Sequence, residues 1–393
     1  MTHYDDLETR SAEARAADQL AALNANLERA GRAPLGALSE LAGLPVLRKS
    51  ELAARQGEAP PFGGMPVGEV AQIFQSPGPI YEPGGAGRDW WRVGRFLHAC
   101  GIGAGDVVQN CFGYHLTPAG HIFESGARAV GAVVIPAGTG QTDLQVRAAA
   151  DCGATAYAGT PDYLKVILDR AEEQGVTLRI TKAAVGGGAL FPSMRAAYAE
   201  RGVAVMQNYA TADLGNVAYE VPRPDGGAPE GMVVDEGVIV EIVRPGTGDP
   251  VPEGEVGEVV VTALNPDYPL VRFATGDLSA VLPGASACGR TNTRIRGWMG
   301  RADQTTKIKG MFVRPEQVAA LVAAAPGVTR ARAIAERDGD GDALRVVIEG
   351  GDPAAVEAML PEHLKIRGRV EAAGPEGLPN DGVVIEDARD YER

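Results

Sequence analysis

Three short segments of the chain carry side chains that could bind a nucleotide. In the first, Asp277 follows a Thr-Gly turn, and a carboxylate placed there can accept two hydrogen bonds from a ribose diol. In the second, Tyr209 and Asp213 follow a predicted strand; a tyrosine ring can stack on a base and an aspartate can hold Mg²⁺. In the third, Arg301 and Asp303 stand where the sequence pattern changes, as hinge residues between domains do. An ordinary turn, a buried tyrosine beside a helix-capping aspartate, or a solvated linker would each explain one segment alone.

The elements that must position these residues alternate between strand and helix. Short apolar runs predict strands at residues 106–111, 132–136, 154–158, 180–185 and 203–209. Amphipathic stretches predict helices at residues 90–100, 118–130, 141–152, 162–174 and 192–200. This βαβ rhythm predicts a mostly parallel sheet covered by helices. Ligands of open α/β sheets bind beyond the carboxyl ends of the strands, which is where Tyr209 and Asp213 stand.

The flanking parts of the chain have other patterns. A helix is predicted over residues 5–30, and residues 31–70 are predicted to be mostly loop because prolines interrupt them. Glycine-rich turns separate two later apolar strands and predict an antiparallel β subdomain, with strands at residues 238–243 and 258–264. The last part predicts a further small domain, with strands at 307–313, 330–335 and 345–349 and helices at 315–324 and 353–364.

Together these patterns predict an α/β fold in two domains. Residues 1–300 are predicted to form a large N-terminal domain, which has mostly parallel sheets plus the β subdomain. Residues 301–393 form a small, mobile α+β C-terminal domain, a size within the usual range for a domain.

Composition limits the classes of function. The 393 residues include 51 acidic and 37 basic ones, so the net charge is −14, which opposes non-specific binding to nucleic acid or to an anionic membrane surface. Six of the 37 basic residues are lysines, which leaves 31 arginines, so a site that requires a lysine has few candidates. The four cysteines form no C-x-x-C pair, which argues against a zinc finger. Few cysteines and a polar start predict a cytoplasmic protein without a membrane span.

The three segments occur in the order of a known superfamily. The tyrosine–acid turn, the Thr-Gly-Asp turn and the Gly-Arg-x-Asp boundary are followed by a small C-terminal domain. In this order they resemble the adenylate-forming, acyl-CoA synthetase-like superfamily, and within it the phenylacetate–CoA ligase family. Further stretches that resemble this family cover nearly the whole chain, at residues 4–10, 44–50, 61–64, 109–114, 288–291 and 300–317.

The resemblance implies a reaction and its cofactors. Members of the family couple a carboxylic acid to ATP, which gives an acyl-adenylate and pyrophosphate. The C-terminal domain then rotates, and the thiol of coenzyme A (CoA) attacks to give a thioester and AMP. The resemblance therefore implies ATP/AMP, Mg²⁺ and CoA as cofactors and an aryl or small carboxylic acid as substrate. By analogy it also implies a homodimer, with neither nucleic acid nor membrane as a partner.

The resemblance also implies that residues 1–300 bind the acyl group and the nucleotide, and it assigns roles to residues at the nucleotide. Tyr209 would stack on adenine, and Asp277 and Arg301 would hold the ribose. Thr211 stands beside the position from which the family contacts the α-phosphate. Asp213 would take the place of the family's magnesium-binding glutamate and act in catalysis.

Other roles fall on the hinge, the acyl pocket and the C-terminal domain. Asp303 would be the hinge. The acyl pocket would be lined by Phe112, Tyr114 and His115. After the C-terminal domain rotates, Lys307, Lys309 and Gly310 would face the CoA tunnel. The two lysines would also act in catalysis.

Three departures from the family pattern all concern phosphate contacts. The family's phosphate loop ends in Gly-Lys, whereas residues 75–83 here contain three prolines, no lysine and one acid, Glu82. Prolines lack the N–H groups with which such a loop binds phosphate. Ala212 stands where the family has a Thr or Ser, and Val383 stands where its late lysine is expected.

The departures leave three interpretations open. The protein could be a working acid–CoA ligase with an altered grip on ATP. It could be an enzyme of the same fold that acts on a CoA thioester or acyl-adenylate made elsewhere. It could also be a non-catalytic homologue that binds a nucleotide or an acyl-CoA.

Overall fold

The computed structural model describes residues 3–76, 79–188, 190–302, 304, 306–339, 341–374, 377–378 and 383–389. The chain divides into two compact units, Met1–Met299 and Gly300–Arg393. None of the described helices is both long and apolar enough to cross a lipid bilayer.

Strands of the first unit form two larger sheets and one hairpin. In chain order they are β1 Leu47–Arg48, β2 Gln72–Ser76, β3 Ile80–Gly84, β4 Val107–Asn110, β5 Val133–Pro136, β6 Ala156–Gly159, β7 Lys182–Val185, β8 Ala204–Thr211, β9 Gly215–Tyr219, β10 Met232–Val234, β11 Val238–Val243, β12 Gly257–Ala263, β13 Phe273–Ser279, β14 Val281–Leu282 and β15 Arg294–Ile295.

Helices of the first unit mostly connect these strands. They are α1 Ala12–Arg29, α2 Lys49–Glu58, α3 Gly94–Ala99, α4 Ala119–Ala129, α5 Thr142–Asp151, α6 Pro161–Glu173 and α7 Pro192–Glu200. Proline at the first position of α6 and α7 fits a helix start, because the first-turn N–H groups have no partner within the helix.

The largest sheet has the order β14-β15-β10-β9-β8-β7-β6-β4-β5. From β5 to β8 neighbouring strands pair in parallel, and from β8 to β14 they pair antiparallel. The parallel half with its connecting helices confirms the α/β prediction. The strand β8 belongs to both halves, and Tyr209 and Thr211 lie at its carboxyl end.

A second sheet, with the order β1-β13-β12-β11, carries Asp277 on β13. The strands β2 and β3 pair with each other as an antiparallel hairpin that contains most of the loop at residues 75–83. One apolar core, centred on Phe96, Phe123 and Val108, lies under the large sheet. A second, around Leu52, Val217 and Phe273, joins the two sheets and helix α2.

Residues 31–70 are mostly irregular, as predicted, but they also contain helix α2, which the sequence did not predict. Two predicted helix boundaries of the first unit are wrong. The predicted helix at 5–30 is a short 3₁₀ turn, Asp6–Thr9, followed by α1, because the Ser11 hydroxyl caps the backbone N–H of Ala14 at 3.1 Å. The predicted helix at 90–100 shortens to α3, since the Asp89 carboxylate accepts from the backbone N–H groups at its start.

The second unit has its own core and its own sheet. Its elements are β16 Thr306–Ile308, β17 Met311–Val313, α8 Pro315–Ala324, β18 Val328–Asp338, β19 Gly341–Gly350, α9 Pro353–His363, β20 Arg369–Ala372 and β21 Ile385–Asp387. The sheet order is β20-β19-β18-β21, and both helices pack on it through Leu321, Val346 and Leu360. The single strand predicted at 307–313 is a hairpin, because Lys309 and Gly310 both have positive φ and reverse the chain.

Candidate functional site

Tyr209 and Asp277 are in direct contact inside the first unit, although 68 positions separate them. The Tyr209 hydroxyl donates to Asp277 Oδ2 at 2.8 Å, and the Trp298 indole N–H donates to Asp277 Oδ1 at 3.0 Å. Both Tyr209 and Asp277 are buried. The backbone N–H of Asp277 donates to the Thr275 hydroxyl at 3.1 Å, which fixes the turn. These three side chains, Tyr209, Asp277 and Trp298, are called the ribose cluster below.

Trp298 was missed from the sequence, yet it holds one oxygen of the predicted ribose acceptor. It lies three residues after β15, 21 positions from Asp277. A tryptophan indole donates one hydrogen bond and accepts none, so its N–H is usually paired when it is buried. This rule predicts that the Trp298 N–H has an acceptor, but it does not predict which residue supplies that acceptor.

Asp213 lies in the turn after β8, where the Thr211 hydroxyl accepts from the backbone N–H of Leu214 at 3.1 Å. Its carboxylate is fully buried, and Oδ2 accepts a hydrogen bond from Lys49 Nζ at 2.8 Å. Lys49 is the first residue of helix α2, and 38% of its side chain is exposed. Sequence reasoning missed Lys49 as a site residue because it missed the helix.

The hairpin adds a second carboxyl group beside this pair. The Ser76 hydroxyl donates to Glu82 Oε1, and Glu82 is 1% exposed. Burial, followed by the nearby negative charge of Asp213, raises the pKa of Glu82 to about 8. Glu82 is therefore mostly protonated at neutral pH. Lys49, Ser76, Glu82 and Asp213 are called the phosphate cluster below.

Two buried oxygens of the phosphate cluster, Asp213 Oδ1 and Glu82 Oε2, have no hydrogen-bond partner in the described part of the chain. The buried Tyr268 hydroxyl, which lies near both carboxyl groups, has none there either. Burial raises the pKa of Tyr268, with further contributions from Asp213 and Glu82, so this hydroxyl stays protonated. Buried polar atoms without partners are costly, and a bound ligand could supply the missing hydrogen bonds.

Asp213 suits a magnesium ion only in part. Among the described residues, no group of three or more His, Cys, Asp or Glu side chains is arranged to hold a metal. Mg²⁺, however, needs only one or two protein carboxylates when substrate phosphates and water supply its other ligands. The donor set therefore fits a magnesium ion that arrives with phosphates.

Phe112 and Tyr114, two of the predicted acyl-pocket residues, lie among other aromatic rings. Phe112 stacks on Phe123 with ring centroids 4.3 Å apart, and Tyr114 meets His121 edge-on at 5.1 Å. The Tyr114 hydroxyl accepts from Asn110 Nδ2 at 2.8 Å. The predicted third residue, His115, has an exposed side chain.

His121 was missed from the sequence, although it contacts several of these groups. It lies 5.1 Å from Phe74 on β2 and is hydrogen-bonded to Gln72 at 3.2 Å. The available signal was its place three residues into the predicted helix at 118–130. That position gave no indication that the ring faces β2.

The remaining predicted site residues belong to the second unit. The Lys307 ammonium lies 5.9 Å from the centre of the Phe312 ring on the facing strand. Lys309 and Gly310 form the turn of the hairpin, and the Lys309 backbone N–H donates to Asp342 at 3.1 Å. Arg301 is the second residue of this unit, and Asp303 lies outside the described residues.

Curated proteins of one kind match most of the chain. A phenylacetate–CoA ligase from Thermus thermophilus is 30% identical over 346 residues, which are 83% of this chain and 76% of the relative. A phenylacetate–CoA ligase from Aromatoleum evansii is 30% identical over 352 residues, 84% of this chain and 78% of the relative. The chain belongs to the phenylacetate–CoA ligase family. The resemblance drawn from the three segments is confirmed.

Solved structures agree with this family on the fold. A 2-hydroxyisobutyryl-CoA ligase, solved with 2-HIB-AMP and CoA, has a TM-score of 0.79 at 22% identity and covers 98% of this chain and 92% of its own. An amide bond synthetase from Marinactinospora thermotolerans gives a TM-score of 0.53 at 21% identity, covering 82% of this chain and 71% of its own. No family model matches the chain. The adenylate-forming fold predicted for this phenylacetate–CoA ligase family member is confirmed.

Proposed function

We propose that the protein is an AMP-forming acid–CoA ligase, which converts an aryl or small carboxylic acid, ATP and CoA into acyl-CoA, AMP and pyrophosphate. The observation that carries the proposal is the ribose cluster. Tyr209 and Asp277, assigned separately to adenine and ribose, meet in one buried contact in a chain of this family. A ribose diol would replace or share the donors that now bond to the Asp277 carboxylate.

The phosphate cluster supplies the charged part of the proposed reaction. Asp213 would hold Mg²⁺, which neutralises phosphate charge when bound. The aromatic group of Phe112, Phe123, Tyr114 and His121 would contact the acyl part of the acid, and its flat rings favour an aryl or a compact group.

Rotation of residues 301–393 between the two half-reactions is part of the proposal. Asp303 would be the hinge, Arg301 would reach the ribose, and the β16–β17 hairpin with Lys307, Lys309 and Gly310 would meet CoA. Small-angle scattering with and without a non-hydrolysable acyl-adenylate analogue tests this, because a rotation changes the scattering profile whereas a fixed arrangement does not.

The test of the overall activity is a pyrophosphate-release assay with CoA and a panel of aryl and short-chain acids. We expect at least one acid to give acyl-CoA and AMP in equal amounts. If no acid releases pyrophosphate, the ligase proposal is wrong. Light scattering in dilute solution tests the proposed homodimer, and cell fractionation tests the proposed cytoplasmic location.

A second function is favoured by one observation on the β2–β3 hairpin. Residues 75–83 contain no lysine or arginine, and the buried Glu82 stands among them. An enzyme that receives a ready-made acyl-adenylate would not need to bind a triphosphate. Transfer to CoA from a supplied acyl-adenylate, without pyrophosphate release from ATP, would identify this activity. A non-catalytic homologue would bind AMP or CoA in calorimetry and catalyse neither step.

A further inference from the structure

Lys49 lies where the segments of both clusters meet. The strand β1 pairs in parallel with β13, the strand that carries Asp277, with Leu47 opposite Phe273. Helix α2 begins directly after β1, at Lys49. The Lys49 ammonium then bonds to Asp213 in the turn after β8. The main chain at Lys49 is thus tied to the sheet of one cluster and its side chain to the carboxylate of the other.

Helix α2 is also fastened to the hairpin that replaces the family's phosphate loop. Gln56 Nε2 donates to the backbone carbonyl of Tyr81, and the Tyr81 N–H donates to Gln56 Oε1, both at 2.8 Å. Gln56 is 3% exposed, so this reciprocal pair is shielded from water. The pair fixes the register of α2 on β3, and therefore fixes where Lys49 stands relative to residues 75–83.

The other two lysines of residues 1–299 are committed elsewhere. Lys165 bonds to Asp169 on the outer face of helix α6 at 2.6 Å. Lys182 is the first residue of β7 and bonds to Asp106, just before β4. Lys182 and Asp106 thus lie at the amino ends of the parallel strands β7 and β4, at the edge of the sheet opposite to the one where ligands bind. Among these three lysines, Lys49 alone lies beside the nucleotide segments.

We propose that Lys49 supplies, from helix α2, the ammonium that binds the phosphates of ATP in place of the lysine missing from residues 75–83. The inference deepens the proposed ligase function and rests on it. An ammonium has three N–H donors, so Lys49 can stay bonded to Asp213 and also donate to a phosphate oxygen. The Lys49 side chain is 38% exposed, whereas the Asp213 side chain to which it is bonded is fully buried.

The role of Lys49 in the step is electrostatic. A carboxylate oxygen of the acid forms a bond to the α-phosphorus, and the bond from that phosphorus to the bridging oxygen breaks. Pyrophosphate leaves with the electron pair, so negative charge grows on it. Lys49 remains protonated throughout and stabilises that charge, which raises the rate of this step. Transfer of the acyl group to CoA has no pyrophosphate and gains nothing from Lys49.

The experiment compares wild type, Lys49→Ala and Lys49→Arg in two separate half-reactions. We expect Lys49→Ala to slow pyrophosphate release roughly 10- to 100-fold, the range for loss of one charge-assisted hydrogen bond. Transfer to CoA from a supplied acyl-adenylate should stay within twofold of wild type. Lys49→Arg keeps the positive charge, so its rate of pyrophosphate release should lie between those of wild type and Lys49→Ala.

Lys165→Ala is the matched control, since Lys165 is also bonded to a carboxylate and its side chain is 44% exposed, against 38% for Lys49. It should change neither half-reaction. Calorimetry adds a readout that needs no turnover: Lys49→Ala should weaken binding of MgATP at least tenfold and leave the Kd of AMP unchanged.

Each outcome decides the proposal. A drop confined to pyrophosphate release and MgATP binding supports it. Pyrophosphate release within threefold of wild type overturns it, and so does an equal drop in both half-reactions and in AMP affinity, which indicates a structural role. If no acid reacts, the ligase proposal fails, whereas the Lys49 inference is still decided by the MgATP and AMP affinities. Wild-type protein that binds AMP but not MgATP overturns it.

Discussion

The ribose cluster and the phosphate cluster are each built on one buried aspartate, but the two aspartates are satisfied differently. Asp277 accepts from two neutral donors, the Tyr209 hydroxyl and the Trp298 indole. Asp213 accepts from one ammonium, and its second oxygen has no partner within the described residues. Both oxygens of Asp277 are thus bonded within the ribose cluster, whereas the phosphate cluster pairs an ammonium with a carboxylate and leaves one oxygen of that carboxylate without a partner among the described residues.

The departures of this chain from its family's sequence pattern are concentrated in the phosphate cluster. Both clusters use β8 or the turn after it, but the ribose cluster adds β13 of the second sheet, whereas the phosphate cluster adds helix α2 and the β2–β3 hairpin. Tyr209 and Asp277 of the ribose cluster are residues to which the family resemblance assigns nucleotide contacts. The phosphate cluster has lost its loop lysine and holds a protonated carboxyl group, Glu82, in the hairpin. The two clusters can be separated by the pH dependence of stability, by nucleotide affinity and by the rates of the half-reactions.

The largest expected effect is the dependence of stability on pH through Glu82. The pKa of about 8 in the folded protein lies above the ordinary value of 4.5. Between these two values the folded state holds a proton that the unfolded state lacks, so stability falls as pH rises from about 4.5 to 8. Glu82→Gln removes the titrating group and with it this pH dependence of stability. We expect the variant to gain a few kcal/mol over wild type between pH 5 and pH 8 in metal-free urea denaturation, about the energy of such a shift.

Glu253→Gln is the control for that measurement, because Glu253 is exposed in the same unit. Its difference from wild type should not change with pH. A constant difference between Glu82→Gln and wild type over the same range would show that Glu82 is ionised in the folded protein, and that the phosphate cluster is more negative than described.

Asp277→Ala should weaken the binding of AMP and of MgATP by the same factor, roughly 10- to 100-fold for a lost charge-assisted contact. A ribose contact does not depend on the number of phosphates. Calorimetry with both nucleotides measures this, with Asp225→Ala as the control, since Asp225 pairs with Arg223 on the surface. Loss of MgATP affinity alone would contradict the division into two clusters.

Val383→Lys should raise the rate of pyrophosphate release about tenfold and leave CoA transfer unchanged, because an ammonium near the α-phosphate stabilises charge that grows only during adenylation. Val383 lies just before β21, next to the partly buried Val384. A lower melting temperature without a gain in rate would instead indicate that Val383 has only a packing role.

Trp298→Phe should have the smallest effect. It removes one neutral donor from Asp277 and keeps an aromatic ring in the core, which costs about 1 kcal/mol, or about fivefold in AMP affinity. Titration with AMP measures it. No change in affinity would show that the indole N–H does not prepare Asp277 for the ribose.

The fold was largely predictable because its signals are local. Helix α7 and strand β11 have the boundaries that the sequence predicted, since proline or glycine marks their ends. Helix α2 was missed because the prolines of residues 31–70 dominated the interpretation. The uninterrupted stretch from Lys49 to Glu58, with Leu52 and Gln56 on one face, was the signal.

The site was predictable in its residue types and not in its contacts. Tyr209 and Asp277 were singled out, but nothing local indicates that one bonds to the other across 68 positions. The Lys49–Asp213 pair spans 164 positions and depends on how β1 docks on β13. Such contacts follow from the packing of whole sheets, which a single sequence does not specify.

The reciprocal pair of hydrogen bonds between Gln56 and Tyr81, called the clamp here, has a consequence for protein engineering. Only the main chain of Tyr81 takes part, so the clamp places no demand on the side chain at that position. A lysine-bearing phosphate loop from a relative could therefore be grafted onto residues 75–83 without losing the attachment of helix α2, provided that the β2–β3 register is kept. Such a chimera would carry two lysines at the phosphates, the grafted one and Lys49. Lys49 would then no longer be required for phosphate binding.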